Sequence, residues 1–308
     1  MEKVNSNKYL VVVAGPTAVG KTDFCVRLAK HYHTEIISAD SRQFFREMTI
    51  GTAKPTPEEQ QGVVHHFVDS HSITQEYSAG AYEQDVLQRL EQLFRRQDVV
   101  ILTGGSGLYI NAVCNGMDAM PETDLQVREQ LIVRHEKEGL APLLEQLQQL
   151  DPLYYEQVDR ANPQRVIRAL EVCLATGQPY SSFRKNLRQE RPFRVIKIGL
   201  NRDRQELYQR IDLRMDLMLE QGLLHEAEAL YPYRQHNALQ TVGYKEIFDY
   251  LEGKYDWEEA VRLLKRNSRR YAKRQLTWFN KDPEYHWFHP EQWQEIVSFL
   301  DEELKKEQ

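Results

Sequence analysis

The chain has 308 residues, room for one large or two smaller domains, with the apolar and charged shares of a globular enzyme. A formal net charge of −6 excludes a protein that coats nucleic acid indiscriminately. No stretch has the length of a membrane span or a secretory apolar region, and Cys25, Cys114 and Cys173 form no C-x-x-C pair, so a cytoplasmic protein with buried thiols is expected.

Tyr9-Leu10-Val11-Val12-Val13-Ala14 is a short β-branched apolar run, the composition of a parallel strand buried on both faces. Gly15-Pro16-Thr17-Ala18-Val19-Gly20-Lys21-Thr22 follows it as G-x-x-x-x-G-K-T, and the apolar spacing after it predicts a helix opening at Lys21. Strand, glycine-containing loop and helix together are the setting of a phosphate-binding loop. Its backbone N–H groups turn toward phosphate oxygens, the helix N-terminus adds partial positive charge, Lys21 adds a full one, and the Thr22 hydroxyl can help to hold Mg²⁺.

Glu35 to Asp40 reads as a second strand ending in a carboxylate. In doubly wound α/β folds, ligands bind outside the carboxyl ends of the strands, which points Asp40 toward the phosphate loop. Position alone equally allows a helix cap or turn residue. Ser41, Arg42 and Gln43 come next, and the chain then reaches Gly51-Thr52-Ala53-Lys54-Pro55. His65, His66 and His71 match no zinc spacing, so no transition metal is assigned. Asp98 to Tyr109 forms a third strand and its loop, ending in Thr103-Gly104-Gly105-Ser106 where most P-loop ATPases place an acid for Mg²⁺. The loop therefore need not serve γ-phosphoryl transfer.

From about 119 to 193 the pattern turns helical. Leu125 to Glu138, Ala141 to Leu150 and Pro163 to Thr176 carry apolar residues at helical spacing, the last between an Asn162 cap and Gly177. Arg128, Arg134, Arg165 and Arg168 on these helices suit a solvated face or a nucleic-acid surface. Arg194 to Leu200 reads as a strand returning to the sheet. The long helix after it puts Arg210 and Arg214 one turn apart and ends amphipathically with Glu226 and Glu228, before a loop at Gln240 to Tyr244. Arg262, Lys265, Arg266, Arg269, Arg270, Lys273 and Arg274 then follow spacings of three and one with no acid among them. On a helix they form one basic stripe, a track for nucleic-acid phosphates rather than the mixed-sign face of an ordinary solvated helix. The fold expected is α/β, a P-loop NTPase-like parallel sheet flanked by helices, built from 1–118 and 194–308, with an all-helical insertion domain at 119–193.

The ordered motifs G-P-T-A-V-G-K-T, I-S-A-D-S-R-Q, G-T-A-K-P, G-G-S-G-L-Y, P-Q-R-V-I-R-A-L-E-V, V-G-Y-K-E and K-R-Q-L-T-W-F resemble those of the tRNA dimethylallyltransferases, also called tRNA isopentenyltransferases, of bacterial type. The resemblance runs from about Leu10 to Phe279. It implies transfer of a dimethylallyl group from dimethylallyl diphosphate to N6 of the adenosine at tRNA position 37, with Mg²⁺ as cofactor. A monomer is expected, although the sequence itself does not fix the oligomeric state. The phosphate loop, Gly15 to Thr22, would then cradle the donor's diphosphate, which accounts for the missing strand-end acid. Lys21 and Arg214 would stabilise the leaving charge, with Mg²⁺ at Thr22; Asp40 would act as general base, and Ser106 joins the catalytic group. Asp40, Ser41, Arg42, Gln43, Ser106, Arg128, Gln164, Arg165, Val166, Ile167 and Arg168 would touch the tRNA, with the insertion gripping the anticodon stem-loop. Two departures stand out: Ser106 replaces a frequent Thr, and Phe45 a frequent Tyr. Competing readings are a prenyltransferase for free adenine nucleotides, a P-loop small-molecule kinase and a non-catalytic RNA-binding module; the basic stripe favours tRNA over the first two, and the intact Gly-Lys-Thr argues against the last.

Overall fold

The structure, a computed structural model, describes residues 7–121, 123–185 and 188–305, so residues 1–6 and 306–308 of the expected core domain lie outside it. Two compact units emerge, one from residues up to Cys114 and from Glu190 onward, the other Asn115–Gln189. The insertion thus begins at 115 rather than 119 and ends at 189 rather than 193. Arg191 explains the later boundary, because its guanidinium donates to the carbonyls of Val113 and Ala112 and pairs with Glu83, tying 190–193 into the first unit.

In the first unit, β1 (Tyr9–Ala14) leads to α1 (Lys21–His31), β2 (Ile36–Ser38), α2 (Pro57–Gln60), β3 (His65–His66), α3 (Ala79–Phe94), β4 (Val99–Gly104) and α4 (Gly107–Asn115). The sheet order is β3-β2-β4-β1-β5-β6, and every pairing is parallel. The second unit holds α5 (Leu125–Glu138), α6 (Ala141–Leu150), α7 (Pro152–Gln157) and α8 (Pro163–Thr176). The first unit resumes with β5 (Arg194–Leu200), α9 (Arg204–Glu220), α10 (Leu223–Leu230), α11 (Tyr244–Leu251), α12 (Trp257–Phe279), β6 (Tyr285–Phe288) and α13 (Trp293–Lys305).

The all-apolar sequence of β1 suits its place between β4 and β5, with all six residues buried. Alternation at period two sends Leu10, Val12 and Ala14 into the cluster on one face and Tyr9, Val11 and Val13 into the cluster on the other. Each fully buried Val or Leu contributes about 1.5–3 kcal/mol relative to exposure, enough for this strand to fix the sheet's centre. Because the strands run parallel, the turns after β1, β2 and β4 all open at one edge, where the phosphate loop, Asp40 and Gly105 meet.

The second unit packs Leu131, Leu143, Leu147, Val166 and Leu170 into its own core. Asn162 caps α8 by accepting from the Arg165 amide, and Gly177 closes it at a φ of 69°. The sequence did not announce α7, whose six residues are too few to show a period. It is fixed by Asp151, which accepts from Tyr154 N–H and from both the amide and hydroxyl of Ser181. Further differences concern the first unit. Glu226 and Glu228 lie on α10, a separate helix after Gly222 rather than the end of α9. Strand β6 and helix α13 complete the sheet edge and its cover without having been anticipated.

Candidate active site

A cavity of about 560 Å³ opens at the carboxyl edge of the sheet. Thr17, Ala18, Gly20, Lys21 and Thr22 line it from the phosphate loop, and Asp40, Arg42 and Gln43 from the turn after β2. Gly15, Pro16 and Val19 do not line it. Their part is internal: the Lys21 ammonium donates to the carbonyls of Gly15 at 2.9 Å and Pro16 at 2.8 Å, and Val19 is buried in the core. Burial lowers the Lys21 pKa to about 8, opposed by the carboxylate of Asp40 and assisted by the guanidinium of Arg214.

Helix α9 supplies two arginines one turn apart, with different tasks. Arg210 Nε donates to the Ala18 carbonyl at 2.9 Å and braces the phosphate loop. Arg214 lines the cavity and makes no hydrogen bond among the described residues; burial lowers its pKa while Asp40 raises it. A desolvated guanidinium without a hydrogen-bond partner is a ready site for an anion. The same helix also contributes Leu213, Met215, Leu217 and Met218, joined by Leu223 and Val242, so the wall continues as an apolar surface. This cavity can hold a molecule that is anionic at one end and a short hydrocarbon at the other.

Asp40 satisfies both roles that its position in the sequence left open. Its Oδ1 accepts from the Arg42 amide at 3.0 Å and shapes the turn, while Oδ2 accepts no hydrogen bond among the described residues. That free oxygen is available to a proton donor in the cavity. Arg42 reaches the Asn237 carbonyl at 3.0 Å, and burial lowers its pKa. Gln43 donates to the carbonyls of Thr52 and Ala53 at 3.2 and 3.1 Å.

Ser106 takes a different place from the one expected. It does not line the cavity, and its hydroxyl is occupied, accepting from the Ser41 amide at 2.9 Å and donating to the Ser41 hydroxyl at 3.0 Å. It holds the Asp40–Gln43 turn in position. Gly104 and Gly105 explain the glycines of that loop by close approach. A Cβ on Gly104 would lie 2.2 Å from the Ala39 carbonyl oxygen, and one on Gly105 would lie 2.1 Å from Gln275 Nε2.

In the second unit, Gln164 and Arg165 are exposed, but Val166 and Ile167 are buried in its core. Those two cannot meet a ligand through their side chains, because α8 turns that face inward. Arg128 and Arg168 both reach the buried carboxylate of Glu171 at 3.3 and 2.9 Å, which fixes their guanidinium heads while leaving them partly exposed.

The basic stripe needs the same correction. On α12, Arg262 pairs with Glu259, Lys265 with Asp216 and Arg269 with Asp212. Two of these acids stand on α9, out of sight in the local sequence. Arg270, Lys273 and Arg274 stay exposed and form no ion pair among the described residues. Of the aromatics nearby, Phe279 is core, Trp278 is exposed and Tyr271 lines the cavity, its phenol pushed up to about 12 chiefly by burial.

Sequence reasoning gave no task to Gln275, yet it connects three motifs. From α12 it accepts from the Thr17 amide at 2.9 Å and donates to the Gly105 carbonyl at 3.0 Å. A signal existed: Ser268 and Gln275 are polar residues at helical spacing with the buried Leu264, Ala272 and Phe279.

His65 bonds the Val63 carbonyl through Nδ1, His66 meets Glu35 at 2.6 Å, and His71 stacks on Tyr77. Among the described residues no group of three His, Cys, Asp or Glu could hold a metal. Mg²⁺ asks for less, since it keeps water and phosphate ligands and needs only one or two protein oxygens. The Thr22 hydroxyl, without a hydrogen bond among the described residues, lines the cavity and fits that requirement. All three cysteines are buried thiols outside any disulfide, and among the described residues no helix is long and apolar enough to cross a membrane.

The family model described as IPP transferase matches residues 43–282. The chain is 55% identical over 300 residues to the tRNA dimethylallyltransferase of Cytophaga hutchinsonii, covering 97% of this chain and 99% of that one. Against tRNA dimethylallyltransferase 1 of Bacteroides fragilis it is 51% identical over 298 residues, with 97% and 99% covered. Among solved structures, the full-length tRNA isopentenylpyrophosphate transferase of Bacillus halodurans matches with a TM-score of 0.72 at 39% identity and 98% of each chain covered. A eukaryotic dimethylallyltransferase acting on tRNA matches with a TM-score of 0.77 at 25% identity, over 97% of this chain and 80% of that one. With matches of this extent spanning the turn of Asp40, the cavity wall of α9 and the tie made by Gln275, the chain belongs to the IPP transferase family.

Proposed function

We propose that the protein is a tRNA dimethylallyltransferase, moving the dimethylallyl group of dimethylallyl diphosphate to N6 of the adenosine at tRNA position 37 and releasing diphosphate. The observation that carries this reading is one cavity with cations at Lys21 and Arg214, an apolar wall from Leu213 to Leu223, and a carboxylate with a free oxygen. The adenine N6 attacks the allylic C1, a C–N bond forms as the C–O bond breaks, and the bonding pair leaves with the diphosphate. The N6 proton passes to Asp40 Oδ2, a role that contributes typically 10²–10⁴-fold when geometry is right. Lys21 and Arg214, both desolvated at the cavity, would meet the charge that develops on the diphosphate, Arg214 with its unengaged guanidinium and Lys21 with the N–H left over from its bonds to Gly15 and Pro16. Mg²⁺, held by Thr22 and the donor's own oxygens, would neutralise further charge on the departing diphosphate.

The target amine lies inside a stacked loop in free tRNA, so the base must turn out to reach the cavity. Arg42 and Gln43 would receive it, while Arg128, Gln164, Arg165 and Arg168 would hold the anticodon stem-loop. Such a monomeric enzyme works where tRNA is found, in the cytoplasm. The test is incubation with dimethylallyl diphosphate, Mg²⁺ and unmodified tRNA, followed by nuclease digestion and mass analysis, beside AMP and γ-labelled ATP. N6-(dimethylallyl)adenosine beside the anticodon is expected. Modified AMP without modified tRNA, or movement of the γ-phosphate, would overturn the assignment.

A further inference from the structure

Glu226, in the first turn of α10, takes no part in the chemistry above, yet it collects four donors. Its Oε2 accepts from the amides of Thr49 at 3.1 Å and Ile50 at 2.8 Å, and its Oε1 from the amide of Gly51 at 2.9 Å and the phenol of Tyr244 at 2.6 Å. Hydrogen bonds to an ionised acceptor are the strong ones, and converging backbone N–H groups hold a loop as a unit. Burial together with Glu226 raises the Tyr244 pKa, so the phenol stays protonated and donates. The Tyr244 ring also takes the space beside Gly51, where a Cβ would lie 2.5 Å from it. Segment 49–51 is therefore clasped by one side chain from α10 and another from α11.

The residues immediately after the clasp do something specific. The carbonyls of Thr52 and Ala53 take up the Gln43 amide N–H groups, while Gln43 Oε1 accepts from the Ser38 hydroxyl at 3.4 Å. A glutamine amide has two N–H donors and an oxygen with two lone pairs. Once both donors are spent, Gln43 can offer an incoming group only its remaining oxygen lone pair. Gln43 lines the same cavity as Asp40. An exocyclic adenine amine is a donor, so the locked amide complements it, whereas a reversed amide would present N–H against N–H.

We infer that Glu226 is a positioning residue for the acceptor base: it fixes 49–53 so that two carbonyls lock the Gln43 amide with its oxygen as the only group left to offer. The inference rests on the transferase reading of this cavity. It assigns Glu226 an effect on the acceptor, transmitted through Gln43, and none on the diphosphate donor.

The test is steady-state kinetics of Glu226→Gln, Gln43→Ala and the double variant, with thermal unfolding of each. Glu226→Gln keeps the shape but sets an N–H against backbone N–H groups. Each single variant is expected to lower kcat/KM for tRNA by roughly tenfold, and the double variant to lose little beyond either, because residues acting through one contact are non-additive. The KM for dimethylallyl diphosphate should stay within about twofold of wild type, since no ligand of the diphosphate is touched. Tyr244→Phe, which removes one donor and keeps the ring, should shift the tRNA term alone by roughly threefold and serves if Glu226→Gln unfolds. Losses that multiply in the double variant, or equal losses for both substrates, overturn the role of Glu226. Wild-type protein that modifies no tRNA in the same assay overturns instead the transferase reading beneath it.

Discussion

Gln275 and Thr17, 258 positions apart, are joined by a 2.9 Å hydrogen bond from the Thr17 amide to Gln275 Oε1. Because Gln275 Nε2 also donates to the Gly105 carbonyl, α12 sets the spacing between the loop after β1 and the loop after β4. Gln275→Leu would strand one backbone donor and one acceptor, each costing about 1–3 kcal/mol when buried. Lower thermal stability and a raised KM for dimethylallyl diphosphate are expected together; calorimetry and donor titration read the two effects.

The depressed pKa of Lys21 gives the protein a pH signature. Below about 8 the buried ammonium is charged in the folded state, whereas in the unfolded chain the group would keep its proton up to 10.5. The unfolded state thus binds more protons within that window, and the unliganded protein should gain stability from this group as pH rises from about 8 toward 10.5. Diphosphate binding runs the other way, because it needs the ammonium. Affinity should fall as pH passes upward through about 8 in wild type, and this step should vanish in Lys21→Met, measured by calorimetric titration.

On α12, position relative to α9 decides which cations are available to RNA. Arg262, Lys265 and Arg269 are neutralised by acids of the protein, and Arg270, Lys273 and Arg274 are not. Alanine at each of the last three should weaken tRNA binding and lower the salt dependence by about one unit of slope, the mark of a lost phosphate contact. Arg262→Ala should leave the slope unchanged. Filter binding across a salt series distinguishes them.

Gly104→Ala would force a methyl group against the Ala39 carbonyl, a rigid neighbour at 2.2 Å. Overpacking between paired strands costs typically about 1–3 kcal/mol. The shift would carry Asp40, next to Ala39, away from its place. Activity is expected to fall further than stability, which paired unfolding and transfer assays would show.

How much was legible in the chain follows from the range of each interaction. The ends of β1 and β5, the start of α1 and the capped span of α8 were read correctly because apolar period and capping residues are local. Lys21, Asp40 and Arg214, far apart in the chain, line one cavity. The partners of Lys265 and Arg269 were not legible, since Asp216 and Asp212 lie on another helix some 50 positions earlier. The inward face of Val166 and Ile167 is legible in their apolar helical spacing, which marks a core position despite the motif that contains them. Ser106 and Glu226 were hidden for another reason: what a hydroxyl or carboxylate does depends on which donors the fold brings to it.

The most direct measurement of the central claim compares wild type with Asp40→Asn in two readouts, binding of dimethylallyl diphosphate and transfer of its labelled prenyl group to unmodified tRNA. Asparagine keeps an oxygen to accept the Arg42 amide but cannot take the N6 proton. Donor affinity should change little, while transfer should fall by about 10²–10⁴-fold, the usual contribution of a placed base. Transfer near the wild-type rate with Asp40→Asn would contradict the account.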